Sequence, residues 1–582
     1  MEYLWKLKPA PNPKTVQQLQ QELGISESLC RLLAQRGINS FNDAKAFFRP
    51  QLSHLHDPFL MSDMAKAVQR IEKAIEREER IMIYGDYDVD GTTAVALLYS
   101  FLNPHYSNLC TYIPDRYKEG YGISLAGIDF AANNDVGLII ALDCGIKALN
   151  QVSYATEKNI EFIICDHHRP GTELPAAHAI LNPKKENCAY PFKELSGCGV
   201  GFKLVQALCE NWHLPDNEWK VLLDILAVSI GADIVPIVGE NRVLAYYGLK
   251  LINTKPRLGL ATLIALSRKN EQDLNITDVV FLLGPRINAA GRIQHGSLAV
   301  EMLSGNDPKQ IEKACHKVNE LNQQRKDLDK SITTSALAQL EKPEEKTRKS
   351  TVVFNASWHK GVIGIVASRL TETYYRPTVV FTESKGVLAG SARSVQGFDV
   401  YNALDKCSDV LEQFGGHMYA AGMTLAKDRF ENFKARFEIA VSESITDEQL
   451  QPKITIDSAL NFSEIEERFY KILKQFAPFG PQNLAPVFVS QGLLDNGCKA
   501  VGSDKTHLRV VLKEPASGKV FTGIGFGLAN KLEILQGAKS IAVAYHIEEN
   551  FFNGSVALQL KVLDIKPTED YLKDLEAYPA EA

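Results

Sequence analysis

Short apolar runs, each closed by polar or acidic residues and followed by a helical pattern, recur through the middle of the chain. Ile81-Met82-Ile83-Tyr84 reads as a buried strand ending at Gly85, and the runs Leu138–Leu142 and Ile163–Cys165 repeat the form. Between and before them lie amphipathic stretches: Met61–Glu79, with Met64, Ala67, Ile71 and Ile75 at helical spacing, then Leu125–Asn133 and Leu149–Lys158. β-Branched runs alternating with helices predict a parallel, doubly wound sheet. Leu222–Ile230 is apolar all round, as a buried helix would be.

Outside this block the pattern changes. Residues 1–60 carry helical periodicity and predict a small helical lead-in packed on the neighbouring α/β domain, which spans 61–303. Residues 304–350 are polar and helical with too few apolar positions for a core, which predicts a long connecting helix. A second, smaller α/β unit is expected over 351–450, from strand TVVFNA through FGGHMYAAGMTL. Over 451–566 short alternating strands (ITIDSAL, PVFVSQGLL, THLRVVLKE, KVFTGIGFG, SIAVAYHIEE, VALQLKVLDI) predict a small barrel, with an acidic tail at 567–582.

A chain of 582 residues accommodates these several cores, and 45% hydrophobic with 23% charged residues excludes both disorder and a membrane class. The start, MEYLWKLKPAPNP, lacks an apolar segment behind a basic one, and no run reaches spanning length, so a cytoplasmic location is expected. Ten scattered cysteines without metal-ligand spacing read as buried thiols in a reducing compartment. A net charge of −6 gives no bulk attraction to nucleic acid, so any polyanion site must be a local basic groove.

The candidate chemistry sits at the ends of the strands. Asp86, Asp88 and Asp90 follow the first run, and glycines at 85 and 91 let the backbone turn into a helix capped by Thr92-Thr93. If the run stays extended, Asp88 and Asp90 point the same way and repel unless a cation lies between them. Asp143 follows the second run and Asp166-His167-His168 the third, while Asp233 follows the buried helix. Open α/β sheets bind ligands at the carboxyl ends of their strands. The alternative for the first stretch is a solvated acidic turn, and Asp143, Asp166 and Asp233 taken singly are better explained as helix caps or strand-end turns than as ligands; the joint arrangement reverses this in favour of ligands.

The runs GDYDVDG, LDCG, CDHH and GADIVP, in that order, resemble the motifs of the DHH phosphoesterase superfamily. YIPDRYKEGYG, GCGVGFKL, GPRINAAGR, WHKGVIGIVASRL, GSARS and FGGHMYAAGMTL extend the resemblance over nearly the whole chain, to the branch whose members are single-strand-specific exonucleases. The resemblance implies a DHH parallel-sheet domain, a connecting helix, a DHH-associated second domain and an OB-type barrel. It implies two Mn²⁺ or Mg²⁺ ions: Asp88 and Asp143 on one, with Asp86 nearby, and Asp90, Asp143, His167 and Asp233 on the other, with Asp143 bridging. Oxygen ligands with one imidazole suit such ions. Many relatives carry a histidine where this chain has Tyr84, so Asp86 is the expected substitute ligand.

Two ions of this kind imply phosphodiester hydrolysis. His168 is assigned to the scissile phosphate or the leaving oxygen, or is a supporting histidine; Asp166 orients a histidine. Arg116, Arg286, Asn288 and Arg292, with Lys203, are candidates for a phosphate track, and the alternative for Arg286 and Arg292 is a tie between the first domain and the connecting helix. In the second unit His359, Lys360, Ser391, Arg393, Ser394 and His417 supply donors; Ser391 and Arg393 share a strand face, and with Arg116 are expected to read a 5′ phosphate as that unit caps the rim. Phe488, His507, Arg509, Lys513, Phe521 and Phe526 are available for base stacking or phosphate contact on the barrel. The expected activity is 5′-to-3′ hydrolysis of single-stranded DNA in repair and recombination by a monomer, supplied by a helicase and a single-strand-binding protein. The alternatives are a phosphodiesterase for short or cyclic dinucleotides and an inert single-strand-binding scaffold.

Overall fold

A computed structural model of the protein describes residues 2–267, 273–552 and 555–577. It divides into two units: Pro50–Lys330 with Pro478–Asn483, and Met1–Arg49 with Ser331–Ala477 and Leu484–Ala582. The expected lead-in therefore splits. Residues 50–60 stay with the first of these units, where the His56 amide donates to Glu240 Oε1 at 2.9 Å. Leu4–Leu7 instead forms a strand parallel to Lys453–Ile456, and Ser28 bonds Glu464 at 3.0 Å, so residues 1–49 pack on a segment far along the chain.

The first unit holds a five-stranded, all-parallel sheet in the order Leu109–Tyr112, Arg80–Gly85, Val136–Leu142, Glu161–Cys165, Ala179–Leu181. In chain order this is 2-1-3-4-5. The direction of growth reverses between Arg80–Gly85 and Val136–Leu142, and a doubly wound sheet opens its ligand crevice at such a reversal. Alternate strand residues feed opposite cores: Ile81, Ile83, Leu138, Ile140 and Leu142 one, Met82, Tyr84, Ile139 and Ala141 the other. The first core is covered by helices Met64–Glu76, Val89–Leu102 and Gly197–Asn211, the second by Leu125–Asn133 and Leu149–Glu157.

The helix after the first strand starts at Val89, three residues before the expected Thr92-Thr93 cap. Asp88 is the cap, its Oδ1 accepting from the Gly91 amide at 3.1 Å, because a carboxylate there satisfies a first-turn amide that a threonine further in would leave open. Thr92 and Thr93 turn back onto the Asp88 and Val89 carbonyls, both at 2.6 Å. Asp88 and Asp90 thus belong to a helical turn and not to an extended run. GPRINAAGR is also helical, Gly284–Ile293, continuing from a π-helical turn at Val279–Leu283, so its amides close helix bonds and are not exposed. The connecting helix runs Pro308–Leu340, and the division between the two units falls inside it.

In the second unit a mixed sheet is ordered Gln413–His417, Ala420–Leu425, Val387–Arg393, Thr378–Ser384, Thr351–Phe354, with only the last pair parallel. Phe433 and Phe437 of helix Phe430–Ser444 and Phe381 fill its core. The barrel strands Phe488–Asp495, Ile541–Phe552, Ser555–Pro567, Val520–Gly525 and His507–Lys513 follow one another as neighbours, and the first and last pair at Leu494↔Lys513 and Asp495↔Leu512, closing a ring. ITIDSAL is not one barrel strand: Lys453–Ile456 pairs with Leu4–Leu7 and only Ser458–Ala459 joins the barrel. The tail is not idle. Helix Thr568–Ala577 buries Tyr571 against Trp5, with ring centroids 5.5 Å apart; residues 578–582 lie outside the described residues. All ten cysteines are free thiols. Among the described residues no helix is long and apolar enough to cross a membrane.

Candidate metal centre and active site

The register Gly85↔Leu142 and Leu142↔Cys165 levels three strand ends, so Asp86, Asp143 and Asp166 leave the sheet side by side. Asp143 turns at once into a left-handed backbone, φ 58°, anchored by its amide to the Cys165 carbonyl at 2.8 Å. Gly197 lies against it, and a Cβ there would stand 2.4 Å from Asp143 Oδ1. The same glycine's amide and that of Cys198, at the start of helix Gly197–Asn211, donate to Asp90 at 2.6 and 2.9 Å, and Ser229 Oγ adds a third bond at 2.6 Å. Asp233 caps the carboxyl end of helix Leu223–Ala232.

His167 gathers these groups. Its Nδ1 lies 3.0 Å from the Leu195 carbonyl, which assigns the proton to Nδ1 and a lone pair to Nε2. Nε2 stands 3.3 Å from Asp143 Oδ1, 3.6 Å from Asp233 Oδ2 and 3.9 Å from Asp90 Oδ2. Donors at about 2.1 Å around an octahedral ion are about 3 Å apart, close to this spacing. Two groups could each hold an ion: Asp90, His167, Asp233 and Asp143, His167, His168. Asp86 and Asp88 fall in neither.

Among the described residues Asp86 Oδ2, Asp143 Oδ1, His167 Nε2 and Asp233 Oδ2 are buried without a hydrogen-bond partner. Orphaned acceptors are costly in an interior, and four around one crevice are what a divalent cation satisfies. The electrostatics agree. Burial, then the charge of Asp88, pushes Asp86 up to about 8. Burial and then Asp90 raise Asp88, and burial followed by Asp90 and Asp88 holds Asp143 and Asp233 well above the usual carboxylate range. Carboxylates that resist ionisation for want of a counter-charge fit a metal centre, and the residues present fit hard divalent ions.

Asp166 is spent elsewhere. Its Oδ1 accepts from the His167 and His168 amides and from His168 Nδ1 at 2.8 Å, its Oδ2 from the Ile146 amide at 3.0 Å. It stays ionised although buried, and its hydrogen bond and charge raise the His168 pKa against the opposing effect of burial. Tyr121 Oη lies 3.2 Å from the outward His168 Nε2. Tyr84 is not a ligand: its hydroxyl donates to the Gly122 carbonyl at 2.9 Å and accepts from the Ser124 amide at 3.1 Å. It acts through backbone, since the Gly122 amide donates to Asp86 Oδ1 at 3.1 Å.

Several contributors escaped the sequence. Ser229 interrupts an otherwise apolar helix, and Asn182, whose side chain holds the His168 carbonyl at 2.9 Å, ends the apolar run Ala179–Leu181; both carried the strand-end or lone-polar signal.

The phosphate-track candidates separate. Arg116 is half-exposed with its guanidinium 4.5 Å above the Tyr87 ring. Tyr117 donates to the Arg292 carbonyl, and Asn288 is half-buried on the same helix. Arg286 is buried, with Nε on Asn319 of the connecting helix at 3.1 Å and Nη1 on the Leu282 carbonyl at 2.6 Å, the tie that was its alternative. Lys203 is removed from the track: it is fully buried, 2.8 Å from Glu240. In the second unit Arg393 Nη1 lies 3.1 Å from Ser391 Oγ, and a Cβ on Gly364, in the first turn of helix Ile363–Tyr374, would meet both at 3.0 Å. His359 accepts from the Gly361 amide at 3.1 Å, Lys360 is exposed, and Ser394 Oγ donates to the Phe398 carbonyl. His417 is exposed beside a tight hairpin turn. On the barrel Phe488 is core, not a base contact, because its ring packs with those of Phe469 and Tyr545; Phe521 packs on Phe462, while Phe526 is exposed beside His507 and Arg509 and Lys513 face solvent.

A 2-1-3-4-5 parallel sheet whose carboxyl edge gathers aspartates around an Asp-His-His turn defines a DHH phosphoesterase. The model for the DHH family, N-terminal domain, matches residues 80–230, that for the DHHA1 domain residues 348–443, and that for the RecJ OB domain residues 456–564. The chain is 35% identical over 574 residues to the single-stranded-DNA-specific exonuclease RecJ of Bacillus subtilis (strain 168), covering 98% of this chain and 72% of that protein. The crystal structure of RecJ in complex with Mn²⁺ from Thermus thermophilus matches with a TM-score of 0.82 at 25% identity, over 97% of this chain and 79% of that one. A crystal structure of exonuclease RecJ bound to manganese gives 0.59 at 31% identity, over 68% and 97%. The chain belongs to the RecJ family.

Proposed function

We propose that the chain is a 5′-to-3′ exonuclease that hydrolyses single-stranded DNA with Mn²⁺ or Mg²⁺. The observation that carries the reading is the set of orphaned acceptor atoms, among the described residues, on Asp86, Asp143, His167 and Asp233 around the crevice of the parallel sheet. When bound, divalent ions supply Lewis acidity towards water and the phosphate oxygens. Asp90, Asp143, His167 and Asp233 would hold them, with Asp86 and Asp88 nearby. Asp166 orients His168 through Nδ1 and raises its pKa, so that as a water oxygen bonds to phosphorus and the P–O3′ bond breaks, a proton on His168 Nε2 would pass to the leaving oxygen. Ser391 and Arg393, beside the uncapped start of helix Ile363–Tyr374, bind the terminal phosphate.

An intact ligand set opposes the inert-scaffold alternative, and a complete second α/β unit and barrel oppose a dinucleotide enzyme. The same proposal includes a cytoplasmic, monomeric protein that receives its strand from a helicase and a single-strand-binding protein. The test offers purified protein with Mn²⁺ or Mg²⁺ to 5′- and 3′-labelled single strands, duplexes and dinucleotides. Stepwise release from the 5′ end of single strands is expected; no hydrolysis, or cleavage of dinucleotides alone, would overturn the reading.

A further inference from the structure

Helix Leu223–Ala232 stops at Asp233, and the next residue, Ile234, turns the chain with φ of 59°. The first position past a helix often needs this left-handed backbone, and glycine or asparagine usually takes it, because a β-branched side chain crowds its own backbone there. Burial of the side chain in a core would be the ordinary compensation. Ile234 has none: it is 63% exposed, whereas Val235 and Ile237 are 7% and 1% exposed. Backbone and packing therefore both argue for a different residue.

The position is unusual in what precedes it. Asp233 Oδ2, one residue back, stands 3.6 Å from His167 Nε2 within a group able to hold an ion. The turn is also held rigid from behind, with Asn241 Nδ2 donating to the Pro236 carbonyl at 3.0 Å and the Ile237 amide to the Pro481 carbonyl at 2.8 Å. An exposed apolar side chain is thus held on an anchored turn, one residue from a candidate ion ligand.

We propose that Ile234 is a substrate contact: the sugar or base of a nucleotide flanking the scissile phosphate rests on it, which fixes the path of the strand into the centre. The side chain offers only desolvation and dispersion, so it selects for the apolar part of a nucleotide and not for phosphate. The inference rests on the single-strand reading, since a small phosphate ester presents no flanking nucleotide.

The test is Ile234→Gly in the full-length chain, with Ile234→Leu as the conservative variant, assayed on a 5′-phosphorylated oligothymidylate with Mn²⁺. The glycine variant is expected to melt at the same temperature or higher, since left-handed backbone suits it, while KM rises about tenfold with kcat nearly unchanged. The leucine variant is expected to recover most of the lost affinity. An unchanged KM in Ile234→Gly would overturn the assignment. So would a lowered Tm with a KM that leucine does not rescue, because that outcome makes the residue structural. A wild-type chain that leaves the oligonucleotide intact would refute the exonuclease reading itself, which keeps the two failures distinct.

Discussion

Around Lys203 buried charge ends in neutrality. Its Nζ lies 2.8 Å from Glu240 Oε1 and donates to the His56 carbonyl and Gln206, while Tyr190 donates to the other Glu240 oxygen at 2.6 Å. Around Asp143, in the same unit, acidic groups converge instead: among the described residues four acceptor atoms have no hydrogen-bond partner, and the carboxyl groups are driven towards their protonated forms. Both places bury aspartate or glutamate about as deeply. Burial alone therefore does not distinguish a structural charge from a functional one; the presence or absence of an internal counter-charge does.

The contrast is sharpest in what single substitutions should do. Asp143→Asn is expected to cut hydrolysis about a thousandfold, roughly 4 kcal/mol of barrier, while the folded circular dichroism spectrum and the metal-free melting temperature are kept, because it removes a group the fold does not neutralise. Lys203→Met should do the reverse, lowering unfolding free energy by about 3–5 kcal/mol in urea by stranding Glu240, with activity per folded molecule retained. Equal stability losses in the two variants would dissolve the distinction.

Smaller effects sharpen it further. Asp166→Asn should lower kcat by about 10–100-fold, as loss of an orienting carboxylate does. The sign of its pH effect follows from the charge of Asp166, which raises the His168 pKa; without it His168 loses its proton at lower pH, and the alkaline limb of the rate profile moves to lower pH. Tyr84→Phe should cost about 1–2 kcal/mol of stability by leaving the Gly122 carbonyl and Ser124 amide unmatched, with only a modest loss of rate transmitted through Asp86.

Much of the site was legible in the sequence because strand ends are. Ile81–Tyr84, Leu138–Leu142 and Ile163–Cys165 are apolar enough to fix strands, and an acidic residue ending such a run has few structural uses. The start of the helix at Val89 was not legible, since Asp88 and Thr92 both carry N-cap chemistry and only the close turn at Gly91, where a Cβ would come 2.4 Å from the Asp86 carbonyl, decides between them. Nor was the pairing of Leu4–Leu7 with Lys453–Ile456, which depends on a contact across most of the chain and leaves no local periodicity. Lys203 looked like an available cation because its partner Glu240 is remote in sequence. Isolated polar residues in apolar helices, such as Ser229, are a readable signal of a buried polar partner, here Asp90.

The most direct measurement is a Mn²⁺ titration of the metal-stripped protein followed by electron paramagnetic resonance, at about pH 8, because binding must displace protons from the raised carboxyl groups of Asp143 and Asp233. The account predicts about two ions per chain in the wild type, weaker uptake on acidification, and loss of at least one ion in Asp143→Asn. A wild-type chain that leaves the Mn²⁺ signal unchanged, or an Asp143→Asn variant that binds as the wild type does, would contradict it.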